Sequence, residues 1–423
     1  MLIRQSKAGI AVIAVLSSLS LAACGSGFSN TTTAPAAGAS TTAGSSGAPA
    51  DTKAAITVLI GSSGEAETTA VKAAVAAWST KSGTAASVQV ASDLNQQTAQ
   101  GFASGKPADV MYVGDQFATY AKAGSLYDYS AYMTAKDDFY PSLVKAFTYS
   151  GKLVCAPKDF STLGLVINTD LWQAAGLTDA DIPTTWDQLE SAAKKLTSGK
   201  VVGLTYSPEI ARIGSFMAQA GGGLEDASGA ATANSQANID ALTFVKKLES
   251  EGVAKNSKDL GAGWGGEAFG KKLAAMTIEG NWISGALSKD YTSVKWTAAE
   301  LPSGKQKGTL VFSNCWGIAA KAGNVGGAID LVNFLTAVEQ QQAFGKAFGV
   351  IPSIQSAADA FKADNAALVP FVNGADYAQS LPAQPGTSAV LGDLNSKLAT
   401  LKSGDPKAIL DATQTNLETA LQG

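Results

Sequence analysis

The sequence predicts an α/β protein built on parallel strands. From Ala54 onward, short apolar runs rich in β-branched residues alternate with segments of helical periodicity, the pattern of a sheet wound by crossover helices. The composition agrees: of 423 residues, 46% are hydrophobic and 16% charged, so the chain can bury large cores and is not of the disordered kind. At roughly 150 residues per domain, this length corresponds to two or three domains. No fixed-period repeat of the solenoid kind occurs.

The elements follow in order. Ile56–Ile60 is a strand that ends at Gly61, and a helix follows from Ala66, with Val71, Val75 and Trp78 on one face. Ser87–Val90 is a strand, 94–103 a helix and Asp109–Val113 a third strand. Farther on, Lys152–Pro157 and Leu163–Ile167 are strand-like. A helix starts within Pro183–Leu189, with Thr185 as N-cap and Gln188 at the capping-box position. Further helices are expected over 236–250, 326–343, 386–402 and 406–421, the last opened by Asp405-Pro406 as cap and first-turn proline.

The first residues have the pattern of an export signal. Arg4 and Lys7 precede an apolar stretch, Ala8–Leu16, which is too short to span a membrane, and Leu21-Ala22-Ala23-Cys24 closes the segment. The Leu-Ala-Ala-Cys tetrad resembles the lipobox of bacterial lipoproteins. That resemblance implies removal of residues 1–23 and a diacylglycerol on Cys24, an anchor strengthened by about 0.8 kcal/mol per buried methylene. Residues 24–53, rich in Gly, Ser, Thr and Ala, have the composition of a flexible tether. Cys155 and Cys315 stand 160 positions apart, a spacing that fixes no pairing; two buried, unpaired thiols are expected.

The chain contains no histidine, which excludes Ser-His-Asp and Cys-His nucleophile systems and His-ligated zinc sites. A net charge of −4 argues against nucleic acid as a partner. No cofactor and no metal is expected.

Ligands of open parallel sheets bind beyond the carboxyl ends of the strands. Two loops there carry suitable groups: Gly61-Ser62-Ser63-Gly64-Glu65 and Gly114-Asp115-Gln116, although Ser62, Ser63 and Asp115 suit helix capping equally well. Two further groups are Glu279-Gly280-Asn281-Trp282 and Ser313-Asn314-Cys315-Trp316-Gly317. Carboxylates and amides beside indoles suit sugars, whose hydroxyls pair with planar polar groups while their C–H faces stack on rings. Trp264, Trp282 and Trp316, placed in loops, are the platform candidates; Trp78, Trp172 and Trp186 are expected in the core, and Trp296 fits either role.

Several segments match a known family in order. Pro107–Asp115 with Ala123–Leu126, Gly151–Thr162, Ile167–Trp172 with Ala175–Leu177, Pro183–Leu189, Ala275–Trp282 and Leu301–Trp316 resemble the family 1 extracellular solute-binding proteins, the maltose-binding-like receptors of ABC importers. The likeness spans about 54–420. It implies a two-lobed periplasmic-binding-protein type II fold, each lobe a mostly parallel sheet flanked by helices, with three hinge crossings. By analogy, lobe one comprises 54–157 and 317–368, and lobe two 161–312 and 372–423. The resemblance further implies a monomeric, lipid-anchored extracytoplasmic receptor, not an enzyme, that hands a di- or oligosaccharide to an ABC permease. Its ligand contacts would be Ser63, Glu65, Asp115, Lys158, Asp159, Phe160, Trp264, Glu279, Asn281, Trp282, Asn314 and Trp316. Competing readings are a receptor for a glycerol phosphate or polyamine, and a glycoside hydrolase working through two carboxylates.

Overall fold

The apolar run Ile56–Ile60 forms β1, and neighbours on both faces bury four of its five residues. The computed structural model describes residues 47–226 and 228–422. The expected signal segment and Cys24 lie outside them. Parallel partners flank β1: β2 (Ala86–Val90), reached through α1 (Glu65–Ser82), and β3 (Val110–Val113), reached through α2 (Leu94–Ala103). Val71, Val75 and Trp78 of α1 face the core as the periodicity predicts. The chain continues through α3 (Phe117–Lys122), α4 (Pro141–Ala146), a hairpin of β4 (Thr148–Tyr149) and β5 (Lys152–Leu153), and then β6 (Ala156–Pro157).

One residue later begins β7 (Asp159–Asn168), the central strand of a second sheet. Around it are laid α5 (Thr169–Ala174), α6 (Trp186–Leu196), β8 (Val202–Tyr206), α7 (Ile210–Gln219), α8 (Gln236–Ser250), β9 (Ala254–Asn256), α9 (Gly265–Gly270), β10 (Ala274–Gly280), α10 (Ile283–Asp290), β11 (Trp296–Ala299) and β12 (Thr309–Phe312). The chain then returns to the first sheet as β13 (Cys315–Ile318), followed by α11 (Val325–Leu335), α12 (Val338–Phe348) and β14 (Ile351–Pro352). It ends with α13 (Ala358–Asp364), α14 (Val369–Asn373), β15 (Ala378–Gln379), α15 (Thr387–Leu398) and α16 (Pro406–Gln422).

The first sheet has the order β2-β1-β3-β13-β6 and the second β15-β12-β7-β10-β8-β9, with β11 and β14 also pairing with β7. Each sheet has its own apolar core; a third cluster, around Phe160, Phe269 and Phe371, packs α14 and α4 against the second sheet. Both sheets are mixed rather than mostly parallel, because β13 runs antiparallel to β3 and β6 in the first and β7 runs antiparallel to β10, β11, β12 and β14 in the second.

Other expectations need correction. The helix expected over 326–343 is two helices: Thr336 turns its hydroxyl back onto the Val332 carbonyl, and Ala337 takes an extended conformation to start α12. Thr185 caps α6, but the Gln188 side chain reaches Thr184 rather than closing a capping box on Thr185. Cys155 and Cys315 are bonded as a disulfide, not free thiols, their Cα atoms being 5.6 Å apart. The pairing follows from the sheet: β13 lies beside β6 with Cys315 opposite Pro157, two residues from Cys155.

The start of the described chain is fastened down. Asn324 caps α11, accepts from the Thr52 N–H, and donates to Asp51 and the Ala54 carbonyl. Asp51 also accepts from the Thr84 hydroxyl.

Candidate functional site

Strand direction places the site. Lys158 alone separates β6 from β7, and Ser313-Asn314 separate β12 from β13, so two short passages run between the sheets at one end of each; a third, through α11 and α12, leads from β13 to β14. That end holds the carboxyl termini of β1 and β3 in the first sheet. In the second it holds those of β8 and β10, since the start of β7 pairs with the end of β10. The two passages are tied together: the Lys158 N–H donates to the Asn314 carbonyl, and the Ser313 hydroxyl donates to the Asp159 carbonyl at 2.5 Å.

On the first-sheet side, the loop after β1 is organised by Glu67, a residue the sequence did not single out. Glu67 Oε2 accepts from the Ser63 N–H (2.8 Å) and hydroxyl (2.7 Å), while Oε1 accepts from the Tyr112 hydroxyl (3.0 Å) and meets Lys158 Nζ (3.1 Å). Lys158 also bonds Asp159 and lies over the rings of Tyr112 and Phe348. One ammonium therefore serves two buried carboxylates. Burial pushes both carboxyls up. At Glu67, Lys158 and the two Ser63 bonds outweigh it and hold the group below its usual range. At Asp159, burial prevails over Lys158 and the carboxyl stays raised. The Lys158 ammonium is disfavoured by burial, but Asp159 and Glu67 more than compensate and raise its pKa. Glu65 and Asp115 are exposed and form no ion pair among the described residues. Asn314 packs into the loop after β3, its Oδ1 occupying the space beside Gly114 that any Cβ would need.

On the second-sheet side, Glu279 at the end of β10 is fully buried. Its Oε2 accepts from Arg212 Nε (3.0 Å), Arg212 Nη2 (2.8 Å) and Trp282 Nε1 (3.1 Å), while Oε1 has no partner. Burial pushes the Glu279 carboxyl up, and the Arg212 guanidinium and Trp282 N–H offset only part of the shift. Trp282 is 37% exposed, one of two large apolar side chains so exposed among the described residues. Phe312 meets its ring edge-on at 5.6 Å. Trp264, at the start of α9, is half-buried. Asn281 is buried: its Oδ1 accepts from Ser161, and its Nδ2 donates to the Gly349 carbonyl at 3.3 Å.

The structure therefore brings Ser63, Lys158 and Asp159 into one network and Glu279 and Trp282 into another, while Asn281 bonds Ser161 and Asn314 accepts from the Lys158 N–H. Two expected contacts lie elsewhere. Trp316 is 1% exposed because it belongs to β13 rather than a loop, packed edge-on against Tyr112 in the first core. Phe160 is 2% exposed and packs against Tyr140. Glu67 escaped notice because its fourth-residue spacing from Ser63 reads as ordinary helix. Arg212 could not be tied to Glu279 from the sequence, since their bond spans 67 positions.

Comparison with known proteins fits this geometry. A family model described as bacterial extracellular solute-binding protein matches residues 73–370. The fold is shared with a cyclic α-maltosyl-1,6-maltose binding protein from Arthrobacter globiformis, at a TM-score of 0.77 and 21% identity, over 87% of this chain and 99% of that one. An ABC substrate-binding protein from Listeria monocytogenes, solved with cycloalternan, gives 0.74 and 22%, over 87% and 99%. The sugar-binding protein MalE from Xanthomonas citri gives 0.77 and 17%, over 87% and 97%. These neighbours share a two-lobed architecture. With the family model covering most of the folded chain, the protein belongs to the bacterial extracellular solute-binding proteins.

Proposed function

We propose that this protein is the lipid-anchored receptor of an ABC importer that takes a di- or oligosaccharide between its lobes and delivers it to the permease by hinge closure. Lobe one would comprise 54–157 and 317–368, and lobe two 161–312 and 372–423. Cys24 would carry the lipid, and the protein would act outside the cytoplasmic membrane as a monomer.

The observation that carries the sugar reading is Trp282, a partly exposed indole fixed at the strand ends where both sheets converge. A pyranose offers an apolar C–H face to such a ring. Charge supports a neutral ligand: Lys158 and Arg212 are both spent on carboxylates, while Glu65 and Asp115 are exposed carboxylates outside any ion pair among the described residues and could accept from hydroxyls. A phosphate ester would want free cations there. Binding near 1 μM needs about −8.2 kcal/mol, within reach of one stacked ring and several charge-assisted hydrogen bonds. A non-catalytic role fits the carboxylates: Glu279 is buried with one oxygen occupied by three donors, a poor arrangement for proton transfer to a glycosidic oxygen.

The test is calorimetry and thermal shift on residues 47–423 with maltose, maltotetraose and cyclic α-glucans, followed by chromatography of the recovered sugar. Saturable binding with the sugar returned intact supports the receptor. Binding confined to a phosphate ester or a polyamine overturns the sugar reading, and product formation that survives repurification overturns the non-catalytic one.

A further inference from the structure

We infer that Arg212 is a positioning residue for the ligand platform: it acts through Trp282 and sets the orientation of that ring. The inference rests on reading Trp282 as the surface on which the ligand stacks.

Three contacts define where the indole lies. Its N–H is bonded to Glu279 Oε2, the same oxygen that receives both Arg212 donors. The Arg212 guanidinium lies over the ring with Cζ 5.0 Å from the centroid. Phe312 closes the third side edge-on. The ring folds back over its own strand, where a Cβ at Gly280 would come within 2.2 Å of it, so no larger residue at 280 leaves the ring this seat.

Arg212 comes from the first turn of α7, just after β8, whereas Glu279 and Trp282 come from the end of β10. The platform is thus assembled from two parallel neighbours in the sheet, and its geometry depends on a planar fork. Nε and Nη2 engage one oxygen while the same group lies over the indole. A lysine would keep the charge but lose the fork and the plane. That difference separates positioning from mere neutralisation of the buried Glu279. Arg212 is 12% exposed at its side chain with two donors already engaged, so its main effect on a ligand is exerted through the ring.

The test begins without ligand. Protein labelled with 5-fluorotryptophan should give seven fluorine resonances, and W282F identifies the one belonging to Trp282. In R212K, that resonance is expected to move and broaden while those of Trp78, Trp172 and Trp316 stay in place. If it keeps its wild-type position and width, the inference is overturned. Should R212K fold poorly, the pair R212M/E279Q removes both charges together and is expected to displace the same resonance; an unmoved resonance there counts equally against it.

Maltotetraose calorimetry adds a second arm. R212K is expected to weaken binding about tenfold in the wild-type background and to have no further effect in W282A. Independent, multiplying losses would overturn positioning through the ring. A wild-type protein that binds none of the glucans removes the sugar reading, while the fluorine spectra still decide the role of Arg212.

Discussion

At the scale of single residues, the cleft is governed by charges buried in odd numbers. Lys158 stands between Glu67 and Asp159, so removing it leaves two carboxylates facing one another without a cation. K158M is expected to lower unfolding free energy by about 3–5 kcal/mol at pH 7 in urea titrations. Part of that loss should return near pH 4, where the carboxylates take up protons. Glu249 offers a separate test. Burial pushes its carboxyl up to about 6, with the Tyr206 hydroxyl bond offsetting only part of the rise. A folded pKa above the unfolded one gives stability that is complete below about pH 4.5 and fades as pH rises through 6. E249Q, which can still accept from Tyr206, should therefore be more stable than wild type by about 2 kcal/mol at pH 7.5, the advantage vanishing near pH 4.5. An equal gain at both pH values would show that packing, not ionisation, is responsible.

At the scale of elements, the strands and crossover helices of the first sheet were legible because each announces itself locally, by β-branched runs, capping residues and periodic apolar faces. What escaped was settled by partners distant in sequence. Trp316 looked like a loop residue beside Ser313 and Asn314, yet β3 and β6 enclose its strand and draw it into the core. The 326–343 segment kept its apolar rhythm through Thr336, and neither glycine nor proline marked the break. The loops bearing Ser63, Asp115 and Trp282 could be found from strand ends alone; the ion pairs of Lys158 with Glu67 and of Arg212 with Glu279 could not, because they join residues far apart in the sequence. The cysteine pair belongs to the same category, since strand adjacency alone unites them. It joins the segment entering the first passage between sheets to the strand leaving the second, closing a loop of about 160 residues. Replacing both cysteines by alanine is expected to cost about 2–5 kcal/mol, measured by chemical unfolding under oxidising conditions. Reductant should shift the wild-type transition toward that of the variant and leave the variant unchanged.

For the whole molecule, each sheet keeps its own core and short passages join the two, so the closure proposed above would turn one half against the other while each core keeps its packing. A bound oligosaccharide should reduce the radius of gyration measured by small-angle scattering, with no change in helix content by circular dichroism. If saturating ligand leaves the scattering curve unaltered, hinge closure does not accompany binding.

The fastening of Asp51 and Thr52 onto Asn324 has a mechanical consequence. This attachment lies at the amino end of β1, the end of the first sheet away from the ligand-bearing loops. Under the anchoring and closure proposed above, anything covalently upstream would haul on one half of the body only, from its rear. The first-sheet half would then be the stator, and the angular travel of closure would fall to the second-sheet half as rotor. A graft point moved to the carboxyl terminus, beyond α16, would exchange those parts.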